Sequence, residues 1–230
     1  MNIDRSPFKA GWWGFGTPGY PSCNGTYCLY SYDILPPLDA ELFNGEFQWL
    51  TEQSARLQDL MSIYRPSEEA QQALLVTMTQ LTETAQTMGL SLPKAFLHFM
   101  GSLELQNQIP SCTACYFNLS EMIIKSPLDD DEGYFIRFLH DQQDVLLWYL
   151  YVNPKGEHCV VVTPIWLEEA LNEGVPQDVI QANIWFCAPE YEEFIYRFWL
   201  ENTLWFAADG SDTLADDQKA YIEYLETHAQ

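Results

Sequence analysis

The sequence predicts an α+β domain: a central, mainly antiparallel sheet flanked by helices and preceded by an aromatic, Gly/Pro-rich N-terminal arm. Three observations carry this expectation. The stretch from Gly133 to Pro164 reads as successive apolar runs with polar punctuation between them. Amphipathic patterns of helical period lie on both sides of it, and the residues before Asn44 alternate glycine and proline with large aromatics. The economical division is therefore an arm over residues 1–45, packed on one domain over residues 46–230, since single domains of that size are routine.

The sheet is the firmest part. Between Tyr134 and Leu139 a period of two puts Tyr134, Ile136 and Phe138 on one face and Phe135, Arg137 and Leu139 on the other. The run Val145–Val152 is apolar or aromatic throughout and far too short to span a bilayer, as expected of a central strand. Asn153, Pro154, Lys155 and Gly156 supply a preset φ and a tolerance of positive φ, which suits a hairpin loop. His158–Thr163 follows, with Cys159, Val161 and Thr163 alternating against Val160 and Val162. His140 to Asp144 is a polar loop between the first two runs, so the whole unit is expected to be an antiparallel meander.

The elements before the meander follow from local signals. In the arm, Gly11-Trp12-Trp13-Gly14-Phe15-Gly16 and the following Pro18, Gly19, Tyr20 and Pro21 forbid a long helix yet carry too much apolar surface to float free. A helix is expected over Glu46–Tyr64, ended by Arg65-Pro66, from the spacing of Phe47, Leu50, Leu57, Leu60 and Met61. Ser67 can cap a second, with Glu68 and Glu69 at its positive end and Ala70, Leu74, Met78, Leu81, Ala85 and Met88 as its buried stripe; Gly89 stops it. Pro93 opens a short helix that runs to Met100. Short strands are expected near Cys115–Leu119 and Met122–Ile124, with Asp129–Glu132 as an acidic loop.

After the meander, Trp166–Asn172 reads as a helix closed by Gly174 and Pro176. Pro189 opens a longer one with Tyr191, Phe194, Ile195, Phe198, Trp199 and Trp205 on one side and Glu190, Glu193, Arg197 and Glu201 on the other, ended by Asp209-Gly210. A last helix spans Asp212 to Thr227.

Charge narrows function more than any motif does. The 33 acidic against 10 basic side chains give a formal charge of −23, which argues against phosphate backbones and anionic membrane surfaces and favours solubility and attraction to a basic partner. Met1 to Gly16 lacks the basic, apolar and small-residue regions of a secretory signal. The expected compartment is the cytoplasm, with Cys23, Cys28, Cys112, Cys115, Cys159 and Cys187 as reduced thiols.

No catalytic signature stands out. Cys112-Thr113-Ala114-Cys115 has the spacing of half a zinc site or of a redox pair, but no second tight pair accompanies it and Tyr116 onward reads as extended. Cys112, His140 and Asp141 make a nucleophile, base and orienting acid only on paper; His140 and Asp141 more simply shape a turn. The arm's glycines do not precede a helix that could hold a phosphate, and Asp129–Glu132 lacks the alternating ligands of a calcium loop. No cofactor, metal or catalytic residue is expected.

Gly89-Leu90-Ser91-Leu92-Pro93-Lys94-Ala95-Phe96-Leu97-His98-Phe99-Met100, followed by an irregular piece and then the meander, resembles the start of a SUKH-superfamily domain, over about Ser67 to Leu200. The Asn-Gly that commonly follows that helix is replaced by Gly101-Ser102, and the long arm lies outside the usual domain. The resemblance implies an α+β binding module of the kind found as fungal cell-wall-synthesis regulators and as immunity proteins against bacterial toxins, with no active-site residue to transfer. It implies a non-catalytic protein that covers a partner's functional surface, and the charge points to a basic partner. The contact residues expected are Asp129, Asp130, Asp131, Glu132, Asp141 and Asp144, in loops beside the meander. Two rivals remain open: a regulatory scaffold that uses Trp12, Trp13, Phe15 and Tyr20 as its surface, and a hydrolase with an unrecognised site.

Overall fold

Glycine interleaved with aromatics keeps the arm out of helix. A computed structural model describes residues 1, 3–22, 24–51, 53–63, 67–128, 131–208 and 213–229, and in it the arm runs extended. Lys9–Ala10 forms β1, and Trp12–Gly14 (β2) pairs antiparallel with Cys28–Tyr30 (β3), Trp12 opposite Tyr30. Gly14 permits this pairing, because a Cβ there would sit 2.9 Å from the Tyr30 ring.

The main sheet is built from β1 and six later strands: Tyr116–Phe117 (β4), Ile124–Lys125 (β5), Tyr134–His140 (β6), Leu147–Val152 (β7), His158–Thr163 (β8) and Trp185–Ala188 (β9). Their order is β1-β9-β8-β7-β6-β4, with β5 also on β6, and only the β1–β9 pair is parallel. The meander is as the sequence predicts, and Gly156 turns the β7–β8 hairpin at φ +78°. The short strand β9 and the parallel β1 were not expected. Both are brief runs whose pairing comes from the sheet edge and not from their own period.

A bulge alters one expectation. The β6–β7 register slips between Arg137 and Leu139, so Arg137 faces Tyr149 and Leu139 faces Trp148. The extra residue, Phe138, turns Leu139 onto the face that Ile136 and Phe138 already occupy.

Helices cover both faces. Ala55–Ile63 (α1), Glu68–Thr87 (α2), Lys94–Met100 (α3) and Leu103–Gln106 (α4) precede the meander. Leu167–Asn172 (α5), Gln177–Ala182 (α6), Tyr191–Ala207 (α7) and Asp216–His228 (α8) follow it. Ser67 caps α2 by accepting from the Ala70 N–H, and Leu74, Met78, Leu81 and Ala85 are its buried stripe, while Ala70 and Met88 lie exposed. One core joins Ile136, Trp148, Leu150 and Val160 to α2, α3, α7, α8 and the arm. The other packs Phe135, Tyr149, Tyr151 and Val161 against Leu167 and Ala170 of α5 and Ile180 of α6. No helix among the described residues is long and apolar enough to cross a membrane.

Two further expectations are corrected. The helix placed over residues 46–64 starts only at Ala55, and Phe47 has φ +54°. The amides that a helix would use are taken instead by the Glu192 carboxylate of α7, which accepts from the N–H groups of Gly45 and Phe47 and from the Trp49 indole. The polar side assigned to α7 is only partly solvated: Glu190 is exposed and Glu193 half-buried, but every residue from Phe194 to Leu204 is buried, Arg197 and Glu201 included. The expected stops at Arg65-Pro66 and Asp209-Gly210 lie outside the described residues.

Close packing at the start of β6 gives a direct test. A Cβ on Gly133 would lie 2.1 Å from the Tyr151 ring, which is buried and held by its hydroxyl to Asp131 at 2.5 Å. Gly133→Ala should therefore lower the urea midpoint by a loss of about 1–3 kcal/mol, the usual range for overpacking; an unshifted midpoint would mean that the ring yields freely.

Candidate binding groove

Apolar side chains left partly uncovered at the meeting of several elements line a concavity. A groove of about 1000 Å³ lies between α1, α2 and α4 on one side and the 109–119 segment with the end of α7 on the other. Leu60, Met61, Leu103, Phe117 and Phe206 are half-buried along it, and Trp205 is 41% exposed. Trp205 had been expected in the buried stripe of α7; it lies beyond the last residue that the sheet and helices cover. The volume is at the upper end of ligand-binding clefts.

Among the described residues one cation lines the groove. Arg137, 8% exposed, places Nη1 2.8 Å from the Asn118 side-chain oxygen and Nε 3.4 Å from Glu168, and its guanidinium lies 4.4 Å over the Trp166 ring. Glu168 also accepts from the Tyr149 hydroxyl at 2.8 Å. The arginine's charge is thus compensated from beneath. Glu121 is the lining carboxylate, and it is exposed.

Cys112 and Cys115 open onto the same groove as free thiols. The Cys112 amide donates to the Asn202 side chain at 2.7 Å, and Ala114 between the two cysteines has φ +56°. Burial pushes the Cys115 thiol up to about 11, and burial likewise raises Cys112, so neither is poised as a thiolate nucleophile. Among the described residues no three His, Cys, Asp or Glu side chains gather where they could hold a metal ion.

The paper constellation of Cys112, His140 and Asp141 is not assembled. His140 directs Nδ1 to Asp144 at 3.0 Å, and burial lowers its basicity, opposed by that carboxylate. Asp141 turns elsewhere, accepting from the Tyr27 hydroxyl at 2.6 Å and from the Gln143 amide at 2.7 Å.

That geometry corrects one expected contact residue. Asp141 is 2% exposed, so its carboxylate organises the β6–β7 turn and ties the arm to the sheet, and is not offered to a partner. Glu132 and Asp144 are exposed. Asp131 is half-buried, bonded to Tyr151 and to the Gly133 amide, and borders a separate polar hollow of about 600 Å³ that Lys125 and Lys155 also line. Asp129 and Asp130 lie outside the described residues.

The arm's aromatics are structural. Trp12 and Phe15 are buried, Trp13 packs edge-on against Trp185 at 5.4 Å, and Tyr20 stacks on Tyr30 at 4.2 Å. They do not offer the free surface that a scaffold would need. Cys28 is disulfide-bonded, which corrects the expectation of six reduced thiols; its partner lies outside the described residues. Cys112, Cys115, Cys159 and Cys187 are free.

The groove residues were invisible as a set in the sequence, because segments separated by more than a hundred positions supply them. No family model, characterised protein or solved structure matches the chain.

Proposed function

We propose that this chain is a non-catalytic binding protein of SUKH type, which neutralises a basic protein partner, such as a toxin, by covering that partner's functional surface. The observation that carries the reading is the charge of −23 together with the disposition of the few cations. Arg137 and Arg197 are buried, and the exposed Arg5, Lys9, Arg56, Lys94, Lys125, Lys155 and Lys219 are far outnumbered by the 33 acidic side chains, so the surface field is strongly negative. Such a field raises the encounter rate with a basic protein and repels nucleic acid. The raised thiols and the structural use of Asp141, His140 and Glu201 leave little in favour of a hydrolase.

The test is to immobilise the chain, capture its partner from cells that make both, and measure association against ionic strength. The partner should be basic and should lose its activity when bound, and its association rate should fall roughly tenfold or more from low to physiological salt. A neutral or acidic partner, or a rate indifferent to salt, would overturn the reading.

A further inference from the structure

We infer that the groove between α1, α2, α4 and the 109–119 segment is where the partner docks, and that it takes an amphipathic segment whose apolar side chains enter the groove while its lysines or arginines lie over the acidic rim. This rests on the reading above of the chain as a binder of a basic protein, and it names the surface and the chemistry of the occupant.

The apolar half of the argument is exposure. Clefts lined mainly by apolar and aromatic side chains are where ligands commonly enter. Here Leu60, Met61, Leu103 and Phe117 form the walls, and Trp205, at 41% exposed, stands at one end. A partly exposed tryptophan beside half-buried aliphatic walls is the composition of an interface anchor, since aromatic residues in water-excluding surroundings dominate binding energy. Among the described residues nothing covers these side chains.

The polar half is charge complementarity. Arg137 is the cation among the lining residues, and Glu168 compensates it from below. Glu121 is the exposed carboxylate of the lining, and Glu69 of α2 and Glu104 of α4 are exposed on helices that border the groove, so its surroundings are acidic. Asp144 is exposed two positions after the lining Gln142. An apolar ligand without charge would gain nothing from such a rim, and an acidic one would meet the whole protein's field. Apolar residues flanked by lysine or arginine match both features, as in helix-in-groove recognition.

The probes are synthetic: an amphipathic peptide of leucine and lysine, its leucine/glutamate counterpart, a serine/lysine peptide of equal charge, and 1-decanol as an uncharged apolar competitor. Ala73→Trp fills the groove from an exposed position on α2, and Trp205→Ala removes the anchor. Glu173→Gln, exposed after α5, removes one charge on the opposite layer. Circular dichroism and thermal melting establish that each variant is folded.

The inference expects the leucine/lysine peptide to bind, the serine/lysine peptide to bind at least tenfold more weakly, Ala73→Trp and Trp205→Ala each to weaken the former by roughly tenfold or more, and Glu173→Gln to leave it unchanged. If both groove variants bind the leucine/lysine peptide as the parent does, with salt-sensitive affinity, the groove assignment falls while the charge reading survives. If neither cationic peptide binds at low salt, the charge reading falls and takes the inference with it. If the leucine/glutamate peptide binds equally well, or 1-decanol displaces the leucine/lysine peptide completely without regard to salt, the groove is an apolar site and the basic occupant is wrong.

Discussion

Glu201→Ala should cost about 3–5 kcal/mol of folding stability, the range for leaving a buried charge without its partner, read as the shift of the urea midpoint. Glu201 is fully buried on α7 and accepts from the Trp12 indole at 2.9 Å, the Tyr20 hydroxyl at 2.6 Å and the Tyr221 hydroxyl at 2.8 Å. Arg197, one turn earlier, donates to the Tyr221 oxygen and to the Pro36 carbonyl, both at 3.0 Å. Truncation would leave three donors unpaired around a void and remove a negative charge that offsets the buried guanidinium. Against a typical total of about 5–15 kcal/mol, that leaves a narrow margin, so Glu201→Gln is the informative companion. It keeps the volume and one acceptor oxygen but aims an amide N–H at a donor, and should fall between parent and alanine. A loss below about 1 kcal/mol for the alanine variant would mean that the cluster is dispensable.

The same cluster makes a pH prediction of definite sign. Burial raises the Glu201 carboxyl above its ordinary range, opposed by its three donors and by Arg197. A carboxyl with a raised native pKa binds its proton more tightly folded than unfolded, so its contribution is complete below the unfolded value of about 4.3 and is lost as pH rises through the native value. Self-repulsion of a chain at −23 slopes the same way. The Glu201 component is therefore the difference between parent and Glu201→Gln, which should grow less favourable to the parent as pH rises. A flat difference would remove it.

How far the fold could be read depends on where each signal resides. The meander was legible because its strands are long enough for period two and apolar composition to agree, and because Gly156 sits at the one turn position with φ +78°. The bulge at Phe138 was not, since a single extra residue leaves the pattern of apolar letters unchanged and alters only which face Leu139 meets. For α7 the alternation of acid and aromatic was real, but the charged stripe faces the arm and α8 instead of water; Trp12, Tyr20 and Tyr221 each contribute the polar atom that makes this tolerable. The acidic loop residues divided by the same rule. Asp141 has Tyr27 above it and is interior, whereas Asp144, three positions on, is exposed at φ +58°. Which carboxylate a distant tyrosine will cover is information carried by the tertiary structure, and so is a groove assembled from Leu60, Leu103, Phe117 and Trp205.

Glu192→Ala is the second large effect, about 3 kcal/mol from the loss of several charge-assisted hydrogen bonds, and it tests why residues 45–51 are not helical. The carboxylate accepts from the Gly45 amide at 2.5 Å, the Phe47 amide at 3.0 Å and the Trp49 indole at 3.0 Å. Those bonds hold Phe47 at φ +54°, a conformation that a bulky side chain adopts only when its surroundings impose it. They also seat Phe47 5.1 Å from Phe99 and Trp49 4.9 Å from Tyr196, so the loop's aromatics complete the core over α3 and α7. Without the carboxylate the amides of Gly45 and Phe47 become buried orphans, and the strained turn has nothing to repay it. Hydrogen exchange should accelerate at those two amides well beyond the change expected from global destabilisation, while the β7 amides follow the global value. If exchange at Phe47 stays protected and the midpoint moves by less than about 0.5 kcal/mol, an ordinary surface-level effect, the apolar contacts alone hold the loop and Glu192 is incidental.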